Sequence, residues 1–362
     1  MKELHTFGWY AARIARKLPK EVFRPVPTRL FGGLAYLLIA ITGILSISLF
    51  DFPFWLYFPI TFVIGASFAG MGFLGHEILH GTVVRKAWLR DFLGAIAFWP
   101  LNTAPRLWRK WHNMNHHIHT QDEKKDPDSW PTFEQFSKSR IMRIVYRLPR
   151  WVRAFANFCL LSVTFSLQSL HMFVRYIKDF DVKKRAEVWL QTLLQWTTWI
   201  TLLFLIGPVK WIFAFFIPLL IANFIVMLYI STNHRLNPLV PVNDPLANSL
   251  TVTVPKWIDV LHFHFSHHTE HHLFPGMSSK YYPLVKEHIK EMWPDRYHEM
   301  PLGQAIIALW KTPRVYYKNK KLIDPYVGTT YGSLGNGLEP DNVHELTKLK
   351  THSYAKGRKI DS

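Results

Sequence analysis

Two uncharged stretches constrain this chain more than anything else in it. Residues 30–50 read LFGGLAYLLIAITGILSISLF, and residues 54–75 form a second run ending GASFAGMGFLG. The first holds twenty-one residues without one charge; as a helix it spans roughly 30 Å, the thickness of a bilayer's hydrocarbon core. Such segments either form a hairpin buried in a large protein or cross a membrane, and the lack of charge in both favours the membrane. Asp51 and Pro53 mark a tight turn between them. Gly65 with Ala69, and Ala66 with Gly70, lie four apart and permit close helix contact.

Two more apolar runs, 189–207 and 209–231, are split at Gly207-Pro208, and Pro218 predicts a kink in the second. The expected fold class is therefore all-α: an integral membrane protein with four transmembrane helices (about 30–50, 54–75, 189–207 and 209–231) in two hairpins, under a cytosolic histidine-rich helical cap. Two pieces between the pairs are less apolar. Residues 92–101, FLGAIAFWPL, are too short to span. Residues 154–174 carry Asn157, Gln168 and His171 and read as an interfacial or buried helix, with a span as the other reading. Residues 1–29 form a basic lead-in with a short amphipathic helix rather than a signal peptide. Residues 30–290 form the membrane domain. Residues 291–362 are a cytosolic extension, expected to be loose after about 326, where Gly, Asn, Lys and Ser dominate.

Lys and Arg number 43 against 25 Asp and Glu, a net charge of +18. A nucleic-acid-binding chain can look like this, but no zinc-finger cysteines, RNP motif or basic heptad helix accompanies the charge, so no nucleic acid is expected as a partner. Two hairpins place the N-terminus, the 76–188 segment and the C-terminal part on one side, together with nearly all Lys and Arg. That side is cytosolic by the positive-inside bias. Both termini and every histidine cluster are thus expected in the cytosol. Cys159 is the only cysteine, which rules out disulfides within the chain and thiolate metal sites.

The histidines are the second constraint. HEILH occupies 76–80, HNMNHHIH 112–119 and HFHFSHHTEHHLFP 262–275, where six of fourteen residues are histidine. Packing does not need that density, whereas metals do, because neutral imidazole is the commonest nitrogen ligand. His76 and His80, four apart, stack on one helical face. His112, His116 and His117 follow, then His234 at the end of the fourth span, then His268, His271 and His272. Nine imidazoles exceed what a four-coordinate zinc can use, whereas two iron ions with four or five nitrogens each can use them all. His119, His262, His264 and His267 are balanced between a metal role and none. His5, His171, His288, His298, His344 and His352 read as ordinary interfacial or hydrogen-bonded residues. HEILH also matches HExxH, the zinc-protease motif, with Glu77 as general base. That reading, an intramembrane protease, needs one more ligand and leaves the other clusters idle. A metal transporter would place ionisable residues deep inside the spans, where none stands, Lys210 lying at the very start of the last one.

HEILH, HNMNHH and HHTEHHLFP, in this order around paired spans, resemble the three histidine boxes of the membrane fatty acid desaturases, and EHHLFPGMSSKYYP resembles the acyl-lipid type. The likeness covers roughly residues 30–290. It implies that His76, His80, His112, His116, His117, His268, His271 and His272 ligate a di-iron centre, with His234 as the further ligand after the last span. Some members add an Asn one helical turn before that histidine; here the position is Ile230. Front-end members begin the third box with Gln, and this chain has His268. No HPGG haem motif of a fused cytochrome b5 domain is present.

The resemblance also implies the activity: O2 as co-substrate, two electrons delivered from outside, and a double bond introduced into a fatty acyl chain. An unactivated methylene offers neither an acidic proton nor a leaving group, so the cofactor must carry the chemistry. The expected partners are the acyl lipid, the bilayer, and an acidic carrier of the ferredoxin, flavodoxin or cytochrome b5 type at the basic face. A lipid, alkane or carotenoid hydroxylase or ketolase would share the iron site. Glu77 and Glu270 are the carboxylates expected to orient ligand imidazoles; Asp126-Pro127-Asp128 reads as an ordinary turn. Trp108, Trp111 and Trp257 read as interfacial aromatics, with a lining role in the substrate channel as the other possibility.

Overall fold

The computed structural model describes residues 3–340, so His344, His352 and the end of the expected loose tail lie outside the described residues. The chain is predominantly helical. Four helices among the described residues are long and apolar enough to cross a membrane: Arg29–Leu49, Phe54–Leu79, Arg150–Asp179 and Val182–His234. The helices used below are α1 (Phe7–Ile14), α2 (Arg29–Leu49), α3 (Phe54–Leu79), α4 (Ala87–Phe98), α5 (Pro105–Trp111), α6 (Arg140–Tyr146), α7 (Arg150–Tyr176), α8 (Val182–Trp211), α9 (Ile217–His234), α10 (His268–Leu273), α11 (Tyr282–Met292) and α12 (Leu302–Lys311).

Helix α3 is central, packed by α2, α4 and α9. Its small residues allow this. A Cβ on Gly65 would stand 2.7 Å from the Ile221 side chain of α9, so only glycine admits that helix. On the outer face of α2, Phe31, Leu34, Leu38, Leu45 and Leu49 are exposed, a surface that suits lipid and not water.

The 53-residue segment Val182–His234 is not one rod. Gly207 sits at φ 78°, ψ 165°, a conformation open to glycine, and the chain reverses there. Trp199 and Phe215 would lie roughly 24 Å apart on a straight helix; their rings stack at 4.1 Å. Lys210, just past the reversal, pairs with Asp51 at 2.9 Å, so the two apolar turns meet.

Two details depart from the expectation. Residues 154–174 belong to α7, which is long and apolar enough to span and packs along α9. Its three polar positions did not break it: Gln168 faces inward and donates to the Pro127 carbonyl at 3.0 Å, and a lone inward amide is tolerated when it is paired. The stretch after 326 packs against the rest as far as it is described, with Tyr331, Leu334 and Leu338 buried.

The rest forms a cap. Tyr10 and Ile14 of α1 pack with Met277, Val285 and Ile289, so the basic lead-in folds onto the segment after the third histidine box. Two small sheets complete the cap. Strand β1 (Thr251–Thr253) pairs in parallel with β2 (Glu299–Pro301), and β3 (Tyr316–Tyr317), β4 (Lys321–Ile323) and β5 (Thr330–Gly332) form an antiparallel meander.

Candidate metal centre

Each histidine is placed by the local geometry of its element. His76 and His80 lie one turn apart at the end of α3, with ring centroids 4.7 Å apart. The second box begins in a π-turn, His112–His116. A π-turn inserts one residue into the helical repeat, and this brings His117 round to His112, with Nε2 atoms 3.0 Å apart. His116 is thereby turned to a different neighbourhood, beside His234 and His272. On α10, His268 and His272 share a face at helical spacing, while His271, about 100° round per residue, points elsewhere.

The nine predicted residues come together as two adjoining clusters. His76, His80, His112, His117 and His271 make one. Nε2 of His112 lies 3.0 Å from Nε2 of both His76 and His117, and His117 lies 3.0 Å from His271. His116, His234 and His272 make the other. His268 joins them, with its Nε2 2.7 Å from that of His234 and 3.2 Å from that of His272.

The second cluster shows why the donor set calls for a cation. The Nε2 atoms of His234, His268 and His272 form a triangle with sides of 2.7, 3.2 and 3.2 Å. Each ring nitrogen presents either a proton or a lone pair along one direction. In a triangle at least two must be alike, so hydrogen bonds alone leave a repulsive pair. A metal ion facing three lone pairs removes the conflict, and separations near 3 Å suit neighbouring ligands about 2.1 Å from one ion. In the first cluster, Nε2 of His80 is buried with no hydrogen-bond partner. Burial, followed by the charges of neighbouring histidines, holds His112, His117, His268, His271 and His272 well below the usual imidazole range. They are neutral, and their lone pairs are free to bind. The residues fit a two-metal centre.

The outward nitrogens are anchored. Nδ1 of His234 donates to the Asn248 carbonyl at 3.2 Å. Nδ1 of His271 lies 3.0 Å from the Tyr282 hydroxyl and Nδ1 of His272 lies 3.3 Å from that of Thr120. Nδ1 of His116 meets Asp126 at 3.0 Å and Asp128 at 3.4 Å. This corrects the expectation for the Asp126-Pro127-Asp128 turn, which holds a cluster imidazole. Burial alone would lower His116, but the charge and hydrogen bond of Asp126, with Asp128 beyond, outweigh it and raise His116.

Glu77 and Glu270 do something else. Glu77 pairs with Arg29 at 3.0 Å and accepts from Ser278 and from the Ser279 amide. It ties α2 and α3 to the chain after the third box, and none of these partners is an imidazole. A carboxylate so occupied is not poised as the general base of a protease. Glu270 accepts from Thr251 and Tyr297 and faces His267 at 3.8 Å, outside both clusters. His264 and His267 gather on Asp259 at 2.7 and 3.6 Å, and His262 lies 2.9 Å from the Tyr229 hydroxyl. Ile230 lines the cavity beside His234, and Asn233 is buried with both amide atoms unpaired, outside the clusters.

A narrow slot of about 40 Å³ adjoins the histidines, walled by Phe98, Leu101, Phe165, Val226 and Ile230. Trp108 and Trp111 line it too. Both are buried, and Trp108 stacks on His112 at 4.3 Å, so neither is an interfacial aromatic. Trp257 is exposed.

Apolar helices long enough to span, carrying two adjoining groups of imidazoles beside an apolar slot, define a membrane protein with a donor set for metal ions next to an apolar cavity. Comparison with known proteins gives the family. A sequence model described as fatty acid desaturase matches residues 53–303, well over half of the chain, and the chain belongs to that family. It is similar to the sn-1 oleoyl-lipid 12-desaturase of Synechocystis, with 26% identity over 89% of this chain and 91% of that protein. It is similar to the enzyme of the same name from Picosynechococcus, with 27% identity over 78% and 82%. It is also similar to the chloroplastic omega-6 fatty acid desaturase of Spinacia oleracea, with 24% identity over 77% and 63%. The chain is a fatty acyl desaturase, an oxidoreductase.

Proposed function

We propose that the two histidine clusters each hold one iron ion, and that the enzyme uses O2 and two externally supplied electrons to insert a second double bond into an oleoyl chain of a membrane lipid. The observation that carries this is the division of nine imidazoles into groups of five and four, with neighbouring inward nitrogens of seven of them 2.7–3.2 Å apart. The substrate position comes from relatives named as 12- and omega-6 desaturases. Bound iron would supply the oxidising power: O2, two electrons and two protons, with the two hydrogens taken from adjacent methylenes, give one double bond and two waters.

The protein's own residues do the rest. Asp126, Tyr282, Thr120 and the Asn248 carbonyl fix the rings, so the inward nitrogens are in place before any ion arrives. Leu101, Phe165, Val226 and Ile230 accept methylenes and keep water from the reacting carbons. Helices α2 and α3 form one hairpin and the two limbs of Val182–His234 that meet at Gly207 form the other, with the histidine cap and both termini in the cytosol, as the Lys and Arg distribution supports. That basic face is the dock for an acidic electron carrier of the ferredoxin, flavodoxin or cytochrome b5 type.

The test is a mass-spectrometric fatty-acid profile of oleate-containing cells that express the chain and a reduced carrier, against His271→Ala. The expected product is an acid two hydrogens lighter than oleate, absent in the variant, with the new bond placed at carbon 12 by derivatisation. A product heavier by one oxygen would make the enzyme a hydroxylase. An unchanged profile with the carrier reduced would contradict the reading.

A further inference from the structure

A larger cavity, of about 480 Å³, lies next to the histidine clusters without including any of them. Its walls are apolar at Ile141, Val145, Leu161, Leu309 and Trp310, and four guanidinium groups face it: Arg150, Arg153, Arg235 and Arg314. Two of these are held by a carboxylate or a carbonyl within the protein, though Nε of Arg153 is buried without a partner. Arg153 pairs with Asp324, and Arg150 donates to the Tyr331 hydroxyl and the Lys311 carbonyl.

The other two are not. Arg235 donates one hydrogen bond, to Ser231 at 3.1 Å, and its Nε is buried with no partner. Arg314 rests its guanidinium on Trp130 and Phe158, at 5.3 and 5.6 Å from the ring centroids. Arg235 lies over the same Trp130 ring at 5.2 Å. Neither makes an ion pair among the described residues. Asp128, whose charge reaches Arg235, already accepts from Trp111 and Gln168. Burial, then the like charge of Arg235, pulls Arg314 down to about 9. Two partly buried cations that share one aromatic ring and lack a counter-charge are costly. The arginine fork matches the oxygens of a phosphate.

The surroundings say what carries the phosphate. Helix α6 and the turn after it border the cavity, with Ile141, Ile144, Leu148 and Trp151 exposed among Arg140, Arg143 and Arg147. Apolar and basic residues mixed in this way lie at the headgroup level of a bilayer. On the inner side, the segments that wall the cavity also wall the slot at the histidines. Arg235 follows His234, Thr164 precedes Phe165, and Trp130 stands two residues after Asp128.

The geometry points to a headgroup site: the phosphate of a membrane glycerolipid bound by Arg235 and Arg314, with its acyl chain leading to the slot beside His234. This rests on the desaturase reading and names the lipid class that the same site takes, one with a phosphate rather than a neutral sugar.

The test measures binding by the purified full chain in mild detergent, by native mass spectrometry, without turnover. The probes are dioleoyl phosphatidylglycerol, the monogalactosyl lipid with the same two chains, oleoyl-CoA and inorganic phosphate. The phospholipid is expected to bind at least about tenfold more tightly than the galactolipid, and Arg314→Gln to remove that preference while Arg314→Lys keeps part of it. Should Arg314→Gln fail to fold, the wild-type preference and its loss in Arg235→Gln decide. Equal binding of the two lipids, or a preference that survives both Gln variants, would overturn the site. Displacement of the phospholipid by equimolar oleoyl-CoA or inorganic phosphate would overturn its assignment to a lipid. Because no product is read, failure here leaves the desaturase reading standing, and the fatty-acid profile judges that separately.

Discussion

Asp126 shows how much a single side chain can add to a metal site. Its carboxylate takes Nδ1 of His116 and also accepts from the amides of Gln121 and Asp128, so one residue closes a turn and aims an imidazole. Asp126→Asn keeps the turn's acceptor and loses the charge. Iron should then leave for a chelator about tenfold more readily, with the circular dichroism spectrum unchanged; unaltered iron retention would reduce Asp126 to a turn residue. Eight of the nine histidines were legible from the three boxes, because imidazole at that density has few other uses, and His234 from its place after the last apolar run and from the family resemblance. Asp126 was not, since no helical or strand period links it to His116, ten residues away, and Glu77 and Glu270 drew attention by adjacency instead. The Asp259 group makes a second prediction. Burial pulls His267 down, but its close contacts with the Asp259 and Glu270 carboxylates, at 3.6 and 3.8 Å, outweigh that and lift it to about 9. A raised folded-state value adds stability that is fully present below about pH 6.5 and is lost as pH rises through about 9. The melting temperature in detergent should fall between pH 6.5 and 9.5 in the wild type and fall less in His267→Gln. Equal falls would show that the contact is not coupled to folding.

Elements are set by fewer residues than their lengths suggest. Gly207 alone turns Val182–His234 into two limbs, and the sequence marked it through the Gly-Pro pair. Alanine there meets no steric neighbour yet must adopt a positive φ, so Gly207→Ala should cost about 1–3 kcal/mol, read as a lower melting temperature with iron content retained. An unchanged melting temperature would mean that the reversal tolerates an L side chain. The π-turn at His112–His116 was not legible. Spacing alone pairs His112 with His116 in a regular helix; their rings do stack at 5.2 Å, but the inserted residue also brings His117 to His112, while His116 reaches His234 and His272. Helix α7 was legible as a helix, but its polar positions obscured its length.

At the scale of the molecule, the histidines lie where the ends of long apolar helices meet the shorter helices of the chain. Helices α3 and α9 end in His76–His80 and His234, and α5 and α10 bring the remaining boxes to the same place. The membrane class and family were legible because charge-free runs and histidine boxes are local features of the chain. The packed segment after 326 and the arginine-lined cavity were not, since both depend on contacts between residues distant in sequence. The central claim is that nine imidazoles hold two irons, and the most direct test is a metal count on the purified protein by inductively coupled plasma mass spectrometry, with Mössbauer spectra on iron-57. About two irons per chain, falling sharply in both His271→Ala and His268→Ala, are expected. One zinc per chain, retained in His268→Ala, would contradict the account.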